Sequence, residues 1–310
     1  MIDYDPHDWR SHLFDIRGSM VREIFPRVFT CTMWAVLVVM LFSATKGYTQ
    51  SWPPLVWLRE YGMISPAVHQ MMGFAMGLLL VFRTNSSYDR FWEGRRLWGS
   101  IVNTSRNIAR LACVHLGRNV PLRNDVVRWT IAFAYATMHH LRGRKDLGDI
   151  AGRLPTTEAN SAVAAEHVPV EISRRVSLQL KKGQELGLLT DIQLVQIESQ
   201  VNTLIDCLGG CERIHKTPLP YAYMVHLRRA LILYLYTLPF ALYKDFGWTT
   251  IAATLFVAFI FFGIEEIGVE IEDPFEGQDN DIPLERICGT IDRDLSALIG
   301  DTDFASSPTK

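Results

Sequence analysis

The sequence predicts an all-α membrane protein with about four transmembrane helices and a separate cytosolic helical domain. Hydrophobic residues make up 48% of the 310 residues, and many of them fall in a few long apolar runs. Charged residues still make up 21%, and the charged stretches have apolar residues that recur with a period near 3.6. The net charge of −2 gives no argument for a nucleic-acid partner.

Four apolar runs predict the membrane helices. Residues 28–45 contain no charged side chain and are long enough to cross a bilayer. Residues 66–82 form a second run with polar residues near its start, so one side of this helix should face protein or water. Residues 231–243 and 249–264 form the third and fourth runs, joined by a short turn.

The runs divide the chain into five segments. We expect an N-terminal amphipathic cytosolic segment, two membrane helices of which the second lines a pore, a cytosolic helical domain, two further membrane helices, and an acidic cytosolic segment with a C-terminal tail. The corresponding ranges are 1–27, 28–82, 83–225, 226–266 and 267–310.

Smaller expectations concern the cytosolic parts. Residues 143–169 are rich in glycine and proline and predict loops. Thr190 and Asp191 are candidate caps for the helix that follows them. The tail, residues 289–310, is polar and is expected to fray.

The distribution of arginine predicts the orientation. Arginines precede the first run, follow the second and precede the third, whereas the loops that join the paired runs hold few basic residues. By the positive-inside rule, both termini and the large helical domain are cytoplasmic, in a multi-pass protein of the cell (inner) membrane.

The second run carries the strongest functional signal. Phe74, Leu78 and Phe82 are spaced four residues apart, so they share one face of a helix. We interpret this face as the lining of a narrow apolar constriction in an ion channel. Gly73 and Gly77 on the same helix indicate either close helix packing or open space near the constriction. A symmetric ring of subunits would let this helix from each copy line a shared axis.

Three segments resemble one known family in order and spacing. They are GFAMGLLLVFRTNSSYDRFWEGRRLWG, CERIHKTPLPYAY and EIEDPFEGQDNDIPL. They resemble the bestrophin family, most closely its bacterial members, and the likeness extends from about residue 8 to about residue 295. The resemblance implies a homopentameric ion channel with one central pore, a neck lined by the second membrane helix and a lower cytosolic aperture.

The resemblance also implies site residues. It assigns the neck to the same three residues as the helical-face argument. The best match to the lower aperture is Ile192, with Leu189 and Gln193 as alternatives. The implied partners are further copies of the chain, the lipid bilayer and small permeant ions, most typically anions such as chloride, with cation selectivity as the alternative. Arg83 favours anions if it faces the pore, and it is a lipid-facing flank otherwise.

The acidic segment resembles the calcium clasp of animal bestrophins at Glu270, Asp273 and Asp281. However, Gln278 stands where a ligand carboxylate is expected, and the N-terminal arm is shorter here. Ca²⁺ takes six to eight oxygen ligands, so these departures argue against calcium gating, and no cofactor is expected to be required. We expect the carboxylates to cap helices and to pair with arginines. The candidate arginines are Arg83, Arg95 and Arg96.

Two other classes of function stay open. Cys207, Cys211 and His215 are spaced so that they could share one side of a helix and hold a metal, which would suit a membrane-bound metal-dependent enzyme. Buried reduced thiols are the alternative interpretation of the two cysteines. The sequence has no hydrolase, zinc-protease or nucleotide-binding motif, so no catalytic residue is predicted. A non-conducting membrane scaffold is the remaining alternative.

Overall fold

A computed structural model describes residues 7, 20–45 and 64–300, and every regular element in these residues is helical. This confirms the all-α class. Short 3₁₀ segments at Gly148–Arg153 and Gly247–Thr249 accompany the α-helices. The described α-helices are α1 Val21–Thr45, α2 Pro66–His115, α3 Val120–Leu141, α4 Thr156–Val163, α5 Val168–Glu185, α6 Asp191–Lys216, α7 Tyr221–Phe246, α8 Thr250–Glu270 and α9 Leu284–Ile299.

Three segments of the described chain are long and apolar enough to cross a membrane. They are Val21–Ala44, Pro66–His115 and Tyr221–Glu270. The last segment contains α7 and α8, which a turn at Gly247 separates. Gly247 has a φ of +54°, a conformation that glycine adopts without strain. Most of the predicted segment 1–27 lies outside the described residues, as does the end of the tail after residue 300.

The chain divides into two compact units. The first contains Arg90–Thr217 and the described residues from Asp273 onward. The second contains the described residues up to Asp89, together with Pro218–Glu272. The chain passes from the second unit to the first within α2.

The first unit has a large apolar core. Trp98 of α2 and Trp129 and Phe133 of α3 are fully buried in it. Helix α3 packs against both α5 and α9. Ile172 of α5 and Ile291 of α9 are buried in the same core, so α3 is the helix that both of these helices share as a partner.

Helix α9 contradicts the prediction of a fraying tail for residues 289–299, whereas residues 301–310 lie outside the described residues. Cys288, Ile291, Leu295 and Ile299 recur every three or four residues and are buried against the first unit's core. The prediction rested on the polar average of the tail, which hides a strongly amphipathic helix. The prediction of loops over residues 143–169 was also wrong in part, because Thr156–Val163 is helical.

The second unit packs α8 against α1 and α7. Its core contains Ile24 of α1, Met76 of α2, Tyr234 and Leu235 of α7, and Phe262 of α8. Helix α7 continues through Pro239, and α8 continues past the acidic pair at which the predicted fourth span ends.

The start of α6 confirms Thr190 as a helix cap. The Thr190 side chain accepts a hydrogen bond from the Gln193 backbone N–H at 3.3 Å, and the Gln193 side chain accepts one from the Thr190 backbone N–H at 3.0 Å. This reciprocal pair satisfies two backbone donors that the first turn of a helix leaves without partners.

Replacing Thr190 with alanine should therefore lower the free energy of unfolding by about 1 kcal/mol. The measurement is chemical denaturation of the purified protein in detergent. Thr190→Ser keeps the hydroxyl and should unfold close to the wild type. Equal stability of Thr190→Ala and the wild type would contradict the role of the cap.

Candidate functional site

The predicted neck residues lie on an exposed face of α2. The exposed fractions are 79% for Phe74, 46% for Leu78 and 56% for Phe82. Met76 and Leu80, on other faces of the same stretch, are buried. Within the described residues, a single chain therefore leaves an apolar face of α2 uncovered, and it is the face that the four-residue spacing predicts.

The two glycines beside this face have different roles. A Cβ atom at Gly73 would lie 2.6 Å from the Tyr234 hydroxyl oxygen, and the Tyr234 ring is stacked on His69 with ring centroids 4.3 Å apart. Gly73 thus allows a close approach of α7. A Cβ atom at Gly77 would meet no heavy atom of the described residues within 4 Å. Close helix packing therefore applies at Gly73, and the space beside Gly77 is open within the described residues.

Arg83 is not at a surface, which corrects the prediction that it is a pore-mouth charge. Its side chain is 0% exposed, and its Nη1 donates a hydrogen bond to Glu265 Oε1 at 3.1 Å. Its Nη2 lies 3.6 Å from Glu272 Oε2. Because both carboxylates face the guanidinium inside the second unit, Arg83 faces neither an ion path nor lipid in this structure.

Arg83 belongs to a larger ion-pair network in the second unit. Glu265 also accepts a hydrogen bond from Arg228 Nε at 3.0 Å, and Arg27 contacts both Glu265 and Glu266. The network balances three arginines with three glutamates, so its net charge is zero. Its members are Arg27, Arg83, Arg228, Glu265, Glu266 and Glu272.

The acidic segment is held by hydrogen bonds within the protein. Asp273 Oδ2 lies 2.7 Å from His215 Nδ1, so this carboxylate pairs with a histidine rather than with the predicted arginine. Asp281 Oδ2 accepts the backbone N–H groups of Gly277 and Gln278 at 2.7 and 2.9 Å. Burial raises the pKa of Asp281, and the two backbone hydrogen bonds oppose that rise. The Asp273 carboxylate therefore links the acidic segment to α6, and the Asp281 carboxylate stabilises the backbone of the segment itself.

Glu270, the third clasp-like residue, ends α8 in the second unit. The only group of three or more histidine, cysteine or acidic residues that could share a metal ion in the described chain lies elsewhere.

Ile192 lies in the first turn of α6 and is 82% exposed. Leu189 is buried, and the Gln193 side chain is engaged in the cap of α6. Of the three residues considered for the lower aperture, Ile192 alone is an apolar side chain open to the surroundings.

The two cysteines of α6 are buried, which favours the interpretation as reduced thiols. Burial raises the pKa of the Cys207 and Cys211 thiols, and a metal needs the thiolate form. His215, the third residue of that candidate set, is paired with Asp273 instead.

One cluster of potential ligands was missed by the sequence argument. His140, His167 and Glu212 come from three separate segments of the first unit and meet with one potential ligand atom each within 4.8 Å of the others. Burial opposes ionisation of Glu212, but hydrogen bonds from His140, Lys216 and His167 lower its pKa to about 2. The pair of adjacent histidines at 139 and 140 was the only local signal.

The whole chain matches a known family. The model of the bacterial/fungal bestrophin proteins matches residues 1–297. The chain belongs to the bestrophin family. A solved structure of a bacterial bestrophin homologue from Klebsiella pneumoniae has a TM-score of 0.80 to this chain at 28% identity, and the match covers 89% of this chain and 98% of that one.

Two proteins named as voltage-dependent anion channel-forming proteins are also similar to this chain over most of their length. A voltage-dependent anion channel-forming protein of Nostoc is 38% identical over 94% of this chain and 91% of the relative. One from Synechocystis is 37% identical over 95% of this chain and 92% of the relative. Together with the three apolar segments, this similarity identifies the chain as a membrane protein.

The buried position of Arg83 leads to a stability prediction. Glu265→Gln keeps the shape of the side chain but leaves the guanidinium without its main counter-charge, which should cost about 3–5 kcal/mol. The free energy of unfolding in detergent, measured with a chemical denaturant, is the test.

Glu266→Gln is the matched control. Glu266 pairs with Arg27, which is 46% exposed, so its loss should cost no more than about 1 kcal/mol. Equal destabilisation by the two substitutions would contradict the special role of the buried pair.

Proposed function

We propose that the chain is one subunit of a homopentameric anion channel in the cell (inner) membrane. The observation that carries the proposal is the uncovered apolar face of α2, which a single chain does not bury. A symmetric ring places the same face of each copy around one axis. The relatives that are named as anion channel-forming proteins support an anion as the permeant ion.

In this proposal, Phe74, Leu78 and Phe82 line the neck. The four-residue steps cover about 12 Å of helix axis, so five copies give three stacked apolar rings. Apolar rings raise the free energy of a hydrated ion and can close a pore by losing water. The absence of a side chain at Gly77 leaves room beside the rings.

Ile192 is proposed to line the lower aperture. Its side chain is exposed at the start of α6, which the Thr190 cap holds in place. Five copies would form a further apolar ring, separate from the three of the neck and on the cytosolic side of the membrane. The distribution of arginine along the sequence supports cytoplasmic termini and a cytoplasmic first unit.

Anion preference cannot come from Arg83 in this arrangement, because carboxylates neutralise it. The phenylalanine rings are the remaining candidates, since the edge of an aromatic ring carries partial positive charge. Chloride is therefore proposed to pass ring edges of Phe74 and Phe82. Cation selectivity is the second candidate, because the ion-pair network has no net positive charge that would repel cations.

Leu78→Ala should widen the middle ring and raise single-channel conductance about twofold or more, because a wider apolar constriction holds water more easily. The measurement is single-channel recording of the purified protein in planar bilayers. Met72→Ala is the control, since Met72 is also exposed but lies about 120° around α2 from Leu78. A complete lack of current from both the wild type and Leu78→Ala would refute the channel.

Reversal potentials under a tenfold gradient of KCl test the ion preference. An anion channel reverses near the equilibrium potential of chloride, and a cation channel reverses near that of potassium. Phe74→Ala and Phe82→Ala should move the reversal potential toward zero, since they remove the ring edges. Reversal near the potassium potential in the wild type would favour the second candidate.

A further inference from the structure

Three side chains of the first unit converge on one point from three segments of the chain. His140 lies in the last turn of α3, His167 directly precedes α5, and Glu212 lies near the end of α6. The Nε2 atoms of His140 and His167 lie 2.6 and 3.0 Å from the same carboxylate oxygen, Glu212 Oε1. The two imidazole rings lie 4.4 Å apart, at an interplanar angle of 32°.

We propose that His140, His167 and Glu212 form a binding site for a first-row transition-metal dication, with Zn²⁺ as the preferred ion. Two imidazole nitrogens and one carboxylate oxygen form a donor set that zinc uses in proteins, with the fourth position left to water or another ligand. Imidazole donors also select against Ca²⁺ and Mg²⁺, which take oxygen ligands.

The geometry allows an ion with small movements. Zinc bonds to nitrogen and oxygen are about 2.0–2.1 Å long, so ligand atoms around a tetrahedral ion lie about 3.3 Å apart. The nitrogen–oxygen distances of 2.6 and 3.0 Å must therefore lengthen by about 0.7 and about 0.3 Å. The three side chains are 21–35% exposed, so they have room to separate and the ion can enter from solvent.

Lys216 donates a hydrogen bond to the same carboxylate oxygen. Its Nζ lies 3.2 Å from Glu212 Oε1, one helical turn further along α6, and its side chain is 63% exposed. A dication would repel this ammonium group, and the long side chain can swing into solvent. Lys216 thus weakens metal binding without closing the site.

The bound ion would connect the end of α3, the start of α5 and α6. Because the ligands come from segments that are separate in sequence, an ion that binds only the folded protein stabilises the first unit against unfolding. The site lies within one unit and does not depend on ion conduction.

The test uses full-length protein in detergent, stripped of metal and titrated with ZnCl₂ against a chromophoric zinc chelator. We expect one Zn²⁺ per chain and no competition from Ca²⁺ or Mg²⁺. Glu212→Gln, His140→Gln and His167→Gln should each weaken binding by about 100-fold, since even the loss of a residue that only supports a ligand costs 10–100-fold. Lys216→Met should tighten binding by about threefold to tenfold.

His115→Gln is the matched control, because His115 lies at the end of α2 and outside the cluster. Wild-type protein that binds no Zn²⁺, or that binds it as weakly as Glu212→Gln, would overturn the proposal. So would a loss in His115→Gln equal to the loss in His140→Gln.

A second measurement needs only the wild type, in case a variant fails to fold. Co²⁺-loaded protein should show the intense visible absorption of tetrahedral cobalt, which excess Zn²⁺ removes. Zinc should also raise the midpoint of thermal unfolding by a few °C. The weak spectrum of octahedral cobalt together with an unchanged midpoint would overturn the proposal.

Discussion

The buried guanidinium of Arg83 is the constraint on which the second unit depends. Removing a charge from water costs several kcal/mol unless carboxylates compensate it. Arg83 obtains that compensation from Glu265 in α8 and Glu272 just after it. A slip of α2 by one residue would rotate the charge by about 100° into apolar surroundings. The ion pairs therefore fix the register between α2 and α8, which apolar packing alone specifies weakly.

Local patterns predicted much of this structure, and long-range partners explain what they missed. The apolar runs and the 3.6-residue period predicted helices, and the spacing of Phe74, Leu78 and Phe82 placed these residues on one face of a helix. The partner of Arg83 lies 182 residues away, so no local rule distinguishes a buried arginine from one that flanks a membrane helix. The meeting of His140 with Glu212 has the same cause.

Helix α9 illustrates a different source of error. Its apolar positions were visible in the sequence, but the average polarity of the tail outweighed their spacing. In the structure, Leu295 and its neighbours complete the core around α3. Periodicity is the better guide in such segments, because burial needs only one face of a helix to be apolar.

The four-residue spacing at the proposed neck has a geometric consequence. Residues four apart on an α-helix form a row inclined by about 26° to the helix axis. For Phe74, Leu78 and Phe82 all to face one central axis, each α2 must lean by about that angle. In a ring of inclined helices, a small change in the inclination of every α2 would rotate the Phe74 ring and the Phe82 ring in opposite directions about the central axis. The Leu78 ring lies between them and would stay near the centre of this movement.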